Sequence, residues 1–372
     1  MEPREEGQAR LGRSPMSASS FAGVGVVRAA HRFDPAPLAD WMTAHIDGFE
    51  GPLIVEQFKG GQSNPTYRLS TPGKRYVLRR KPPGELLPGA HAIEREARVI
   101  AAVETTGFPV PHLYALCTDD SVIGTPFYVM AMVEGRIFWD ATLPHETPPV
   151  RAEIYDRMNA AMARLHGVDH VAAGLGDYGR SGNYLARQIA RWSRQYREDE
   201  AAGRDPHMEQ LVEWLPAHLP PGDETTLVHG DFRIDNIVFA SGGAEICGVL
   251  DWELSTLGHP LVDFAYHLMM YRMPALTIPG LAGADLIALG IPSEEEYVAA
   301  YCRRTGRSGI PDLDFYLAFN FFRFAAICHG IKGRLARGTA VSSEASRLAM
   351  DFPVLAKLAC DQAFKSTSLG LE

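Results

Sequence analysis

The sequence predicts an α+β protein of two lobes, a small sheet-rich lobe followed by a larger helical one. Two observations carry that expectation. Strand-like runs crowd into the first third of the chain, and apolar residues at helical spacing dominate after residue 134. The 372 residues exceed one typical domain, so a cleft between two lobes is the natural ligand site.

The elements follow in order. The chain opens acidic, with no basic segment leading into a long apolar one, so no signal peptide is read. Residues 1–30 are expected to form a disordered lead. Residues 31–133 are expected to form the N-terminal lobe. "PLIVEQF" (52–58), "PTYRLS" (65–70) and "RYVLRR" (75–80) read as strands, separated by the turn-rich "KGGQSN" and "TPGK". "AHAIEREARVIAAVETTG" then has helical spacing with Gly107 as a stop, and "TPFYVMAMV" (125–133) is short enough for a buried strand. Residues 134–372 form the expected helical lobe, with helices over 150–168, 183–199, 207–218, 260–272, 293–304, 312–335 and 343–363. One strand cluster, 225–251, interrupts them.

Composition narrows the function. A net charge of −9 argues against nucleic-acid binding, and no apolar run approaches a bilayer span. Five scattered cysteines without a CxxC argue against a disulfide framework and suit a reducing cytoplasm.

Chemistry concentrates in the strand cluster. "LVHGDFRIDNIVF" (227–239) and "ICGVLDWE" (246–253) are joined by "ASGGAE", which predicts a hairpin. The hairpin would bring Asn236 and Asp251 together, with Asp231 just ahead of it. Two oxygen ligands suit Mg²⁺, which keeps water and phosphate in its remaining positions. The third group, Asp231, would be left to accept a proton from a hydroxyl nucleophile. Taken singly, Asp231 and Asn236 read as turn and cap residues, but their joint spacing with Asp251 argues against that.

"HGDFRIDN" followed by "VLDWE" resembles the aminoglycoside phosphotransferase/choline kinase superfamily, relatives of the protein kinases, over roughly residues 35 to 335. The resemblance implies a bilobal protein-kinase-like fold and an ATP- and Mg²⁺-dependent small-molecule kinase. It makes Asp231 the catalytic base, Asn236 and Asp251 the metal ligands, and His229 a brace for the loop. Trp252 and Glu253 stand in place of a Phe-Gly pair. The phosphate-covering loop falls on "FKGGQSNPTYRL", where Ser63 and Asn64 are candidate donors. Arg79 takes the place of the family's lysine, with Glu96 as its partner. Backbone groups around Ala131 and Val133 would meet adenine. The stretches "YVLRRKPPGELLPGAHAIEREARVI", "HGDFRIDN" and "DWELSTLG" resemble the subgroup whose kinase-like domain also occurs fused to acyl-CoA dehydrogenases. No dehydrogenase domain is read here.

Two rival readings compete with the kinase. His259, Asp263 and His267 fall at i, i+4 and i+8, which could serve a metal-dependent hydrolase. The bland alternative is a helix opened by Pro260, with Asp263 matching the superfamily's loop-bracing acid. A nucleotide-binding pseudokinase is the other rival, disfavoured by the complete set Asp231, Asn236 and Asp251. Finally, Arg187, Arg191 and Arg194 share one face of the helix over 183–199, either as a solvated charged face or as the grip on an anionic acceptor. The expected partner is therefore a small hydroxylated molecule, a hydroxy acid or its CoA thioester, with no nucleic acid or membrane involved.

Overall fold

A computed structural model describes residues 23–59, 64–84, 92–339 and 343–365. The first lobe is built on an antiparallel six-stranded sheet of order β1-β2-β3-β4-β6-β5. Its strands are β1 (Val24–Gly25), β2 (Ile54–Phe58), β3 (Thr66–Ser70), β4 (Arg75–Arg80), β5 (Leu113–Cys117) and β6 (Phe127–Ala131). Helix α1 (Pro35–His45) lies in the cluster formed by Tyr76, Leu78, Phe127 and Val129. Helix α2 (Ile93–Thr105) and Tyr128 belong to the other cluster, which continues into the helical lobe.

This division follows from the strand pleat. Alternate side chains of β4 point to opposite faces, so Tyr76 and Leu78 join the α1 side while Arg79 turns the other way. Arg79 is paired with Tyr128 of β6, and both face α2.

The second lobe is mostly helical. It contains α3 (Pro148–His166), α4 (Tyr184–Glu198), α5 (Pro206–Ala217), α6 (Pro260–Leu268), α7 (Leu286–Leu289), α8 (Glu294–Thr305), α9 (Leu313–Ala336) and α10 (Ser343–Ala363). Helix α9 is its axis, contacting α4, α5, α6 and α10. Proline opens α3, α5 and α6, where its missing N–H costs nothing. A capping box between Ser293 and Glu296 starts α8. Two small ladders sit against these helices: β7 (Thr226–Val228) with β10 (Thr256–Gly258), and β8 (Ile237–Phe239) with β9 (Ile246–Val249).

The α+β arrangement and the hairpin over the strand cluster are as expected. The disordered lead needs correcting at its end. Val24 and Gly25 pair with Phe58 and Gln57, and Ala29–His31 forms a 3-10 turn, so residues 23–30 carry structure. Residues 1–22 lie outside the described residues. Sequence reasoning also missed α1, β5 and β10. Only Leu38 and Met42 of α1 are buried, too thin a stripe to signal a helix. The burial of β5 does not alternate, and β10 has three residues. All five cysteines are free thiols. Among the described residues no helix is long and apolar enough to cross a membrane.

Candidate active site

Strand β7 delivers His229, Gly230 and Asp231 to the junction of the lobes. Gly230 has φ +83°, and a Cβ there would lie 2.6 Å from the Leu254 carbonyl oxygen. Both facts exclude other residues. The loop is held from below by Asp263 on α6, whose two carboxylate oxygens accept the backbone N–H groups of His229 and Gly230, each at 2.8 Å. His166 adds a ring N–H at 3.3 Å. Burial alone would raise the Asp263 pKa, but these donors hold it below the usual carboxylate value.

His229 is fully buried and links the two sequence motifs. Its Nε2–H must donate to the Leu250 carbonyl at 2.9 Å, which leaves Nδ1 to accept from the Asp231 N–H at 3.3 Å. The imidazole thus ties the Asp231 loop to the residue before Asp251. That accounts for the His-Gly preceding the acid.

The Asp231 carboxylate is held on both oxygens. Oδ1 accepts the Tyr266 hydroxyl at 2.5 Å and lies 3.5 Å from Arg233 Nε. Oδ2 accepts the Asn236 amide at 3.0 Å, and the same amide donates to the Asp231 backbone carbonyl at 2.9 Å. With its NH₂ engaged, Asn236 has its side-chain oxygen left for another partner. Arg233 also pairs with Asp235 at 2.7 Å. Burial opposes its charge, but the two carboxylates outweigh that and raise its pKa.

Asp251 sits across from this loop. Its backbone is left-handed, φ 62°, a conformation Asp tolerates better than most residues and one that clusters at functional sites. The next residue explains why the turn holds. Trp252 is fully buried, donates its indole N–H to the Val249 carbonyl at 2.9 Å, and meets the Phe108 ring edge-on and the His229 ring at a tilt. A Leu250 N–H bond to the Asn236 carbonyl, 2.8 Å, fixes the two metal-ligand candidates in one hairpin.

Arg79 reaches this centre from the first lobe. Its guanidinium lies 2.9 Å from Asp251, 3.2 Å from Glu253 and 3.1 Å from Glu96. The Glu96 approach is an ion pair without hydrogen-bond alignment. Three carboxylates therefore face one guanidinium. Burial, aided by Asp251 and Glu253, pushes Glu96 up to about 7 against the pull of Arg79. Asn64 is buried and its amide lies 3.4 Å from Glu253. Ser63 lies outside the described residues. In the segment between lobes, the Ala131 N–H already donates to the His112 carbonyl at 2.8 Å. Val133, just beyond, packs near Gly248 of β9.

The donor set fits a hard divalent cation. It offers oxygens only, from Asn236, Asp251 and Glu253, and carries more negative than positive charge. The rival metal triad does not come together. His259 caps α6 by accepting the Leu261 N–H, and Asp263 is occupied by the loop. His267 has both nitrogens engaged, Nδ1–H to the Phe232 carbonyl and Nε2 with the Tyr297 hydroxyl. Among the described residues no group of three or more His, Cys, Asp and Glu is placed to hold a metal.

The three arginines of α4 have different neighbours. Arg187 donates to the Arg180 carbonyl at 2.6 Å. Arg191 is exposed and lies 5.0 Å from the Trp192 ring centre. Arg194 lines a groove of about 520 Å³ between α4 and α5, with Arg197.

Sequence reasoning passed over Arg233, Tyr266, Glu253 and Arg323 as working residues. Arg233 lay within the motif itself, and Glu253 just after Asp251. Arg323 had a usable signal, a lone cation in the apolar run "AFNFFRFAAIC". Tyr266 had none, since only folding brings it to Asp231.

This fold, with the Asp231 loop and the Arg79–Glu253 contact across the lobes meeting at one hairpin, is that of the kinase-like phosphotransferases. The sequence pattern of APH, the phosphotransferase enzyme family, matches residues 54–316, and the chain belongs to that family. It is 46% identical over 317 residues to mouse acyl-CoA dehydrogenase family member 10, spanning 85% of this chain but 30% of that protein. A Ralstonia eutropha crystal structure, described as a candidate aminoglycoside phosphotransferase, is 48% identical with TM-score 0.83, covering 90% of this chain and 99% of the other. Choline kinase from Cryptosporidium parvum shares the fold at 13% identity, TM-score 0.56, over 90% and 96% of the two chains.

Proposed function

We propose that the chain is an ATP-dependent small-molecule kinase that transfers the γ-phosphoryl group to the hydroxyl of an anionic acceptor, a hydroxy acid or hydroxyacyl-CoA. One observation carries the reading. The Asp231 carboxylate already accepts a hydroxyl, that of Tyr266, at 2.5 Å, beside the Arg79–Asp251–Glu253 cluster. An acceptor alcohol reaching the same carboxylate beside Tyr266 would meet a general base within proton-transfer reach.

Asn236 and Asp251 would hold Mg²⁺, which when bound neutralises phosphate charge. The remaining work falls to the chain's own residues. Asp231 takes the hydroxyl proton as the acceptor oxygen attacks, with Asn236 and Tyr266 keeping its carboxylate oriented. Arg233, 3.5 Å from Asp231, brings a guanidinium to the side where phosphate charge is transferred. Arg79, steadied by Glu96, reaches toward the nucleotide phosphates. Asn64 and Ser63 add donors from the covering loop, and backbone groups near Ala131 and Val133 meet adenine.

The anionic acceptor rests on charge. Arg187, Arg191 and Arg194 make no ion pair among the described residues, so α4 offers unneutralised cations. The acyl-CoA wording in the mouse relative's name points the same way. The test is ADP release from Mg-ATP over hydroxy acids, hydroxyacyl-CoA thioesters, choline and aminoglycosides. Turnover with the anionic compounds is expected. Choline or an aminoglycoside as the best acceptor would refute the acceptor class.

A further inference from the structure

Arg323 is a buried cation without a counter-ion. It sits mid-way along α9, 8% exposed, inside an otherwise apolar stretch. One terminal nitrogen donates to the Gly230 carbonyl at 3.0 Å. Its Nε is buried and has no hydrogen-bond partner, and no carboxylate pairs with it among the described residues. Arg79 and Arg233, the other guanidinium groups at this centre, each have at least two carboxylates. Burying an uncompensated charge is strongly unfavourable, and the aromatic faces beside it offset only part of that cost.

Its surroundings join the catalytic loop to α4. The guanidinium lies 5.0 Å from the Tyr266 ring centre, and Tyr266 touches Asp231. It lies 6.0 Å from the Trp192 ring, and Arg191 lies 5.0 Å from that same ring. The Trp192 indole N–H is likewise buried and unpartnered. One orphaned donor thus lies one side chain away from Asp231, and a second is carried by the ring 6.0 Å beyond it. A purely structural brace for Gly230 has no need of a charge, and Asp263 already holds that loop by two backbone bonds.

We propose that Arg323, with the Trp192 indole N–H, binds the acyl oxygen of the acceptor and so sets which hydroxyl reaches Asp231. That oxygen belongs to the carboxylate of a hydroxy acid or to the carbonyl of its thioester. The proposal rests on the kinase reading and narrows its acceptor to hydroxyacyl compounds. It makes Arg323 a specificity residue, distinct from the exposed arginines of α4.

The test compares 3-hydroxybutyrate, 3-hydroxybutyryl-CoA and 1,3-butanediol, the last lacking an acyl oxygen. Wild type, Arg323→Gln and Arg323→Lys are assayed, with thermal melting to confirm folding. For the acyl acceptors, kcat/KM should fall at least tenfold in Arg323→Gln and by less in Arg323→Lys, with a much smaller change for the diol. A larger loss on the free acid than on the thioester identifies the carboxylate as the partner, and the reverse identifies the carbonyl. Equal losses on all three compounds, or none, overturn the proposal. Binding of the same compounds by ligand-observed NMR decides the site if no compound is phosphorylated. In that case the kinase reading fails, while Arg323-dependent binding of the acyl compounds over the diol still supports the site, and its absence overturns it.

Discussion

Asp231, Asn236 and Asp251 illustrate how single residues acquire different roles from their bonds. Asp231 is hydrogen-bonded on both oxygens and shielded to 19% side-chain exposure, whereas Asp251 is 37% exposed and faces Arg79. Under the proposed function the first would take a proton and the second would hold a cation. Asp231→Asn should lower kcat by about 10²–10⁴-fold, because an amide cannot accept the proton, while nucleotide binding persists. Turnover near wild type would remove Asp231 from the base role. Asp251→Ala should instead weaken Mg-nucleotide affinity, read by titration calorimetry. It should also leave Arg79 facing two carboxylates rather than three. Equal nucleotide affinity in the Asp231 and Asp251 variants would argue against this division.

At the scale of elements, α6 is the support on which the catalytic loop rests. It contributes Asp263 to the loop backbone, Tyr266 to Asp231, and His267 to the Phe232 carbonyl. Burial lowers His267 from 6.5 to about 4. Between those values the unfolded chain binds the proton and the folded chain does not. The stability that depends on neutral His267 is therefore full above about pH 6.5 and is lost as pH falls toward 4. His267→Gln should flatten the acid side of the melting-temperature profile between pH 7 and 4.5. Parallel profiles for the two proteins would exclude the effect. Trp252 plays a matching part on the opposite hairpin. Trp252→Ala should destabilise the chain by about 3–5 kcal/mol in chemical denaturation, because it removes a fully buried indole and its bond to Val249.

For the whole molecule, the site exists only where two lobes meet. Arg79 comes from the sheet lobe, and its partners Asp251 and Glu253 come from the helical lobe. Excess negative charge at that junction opposes closure, so a cation and a nucleotide should draw the lobes together. With Mg-ATP at 100 times its Kd, the native state should gain about 2.7 kcal/mol. The melting temperature should rise with Mg-ATP more than with ATP and a chelator. A shift independent of the metal would place the nucleotide elsewhere.

The sequence by itself determined the order of the lobes, the hairpin and its polar residues, since these are written in local periodicity, turn residues and a short motif. Asn236 and Asp251 are brought together across a turn of a few residues, so spacing sufficed to place them. The Arg79 and Glu96 pair was legible only through resemblance, because β4 and α2 are separate elements whose faces local pattern cannot align. Only the tertiary structure decided the rest. Tyr266 and Arg323 reach the catalytic loop from 35 and 93 residues away. The helical arginines, one face in sequence, meet different neighbours in the fold: the Arg180 carbonyl for Arg187, the Trp192 ring for Arg191 and the groove toward α5 for Arg194. The His259, Asp263 and His267 set, metal-like in spacing, is occupied by backbone and hydroxyl partners in the fold. Spacing along a helix fixes which residues share a side, but the neighbours packed against that side decide what each residue can do.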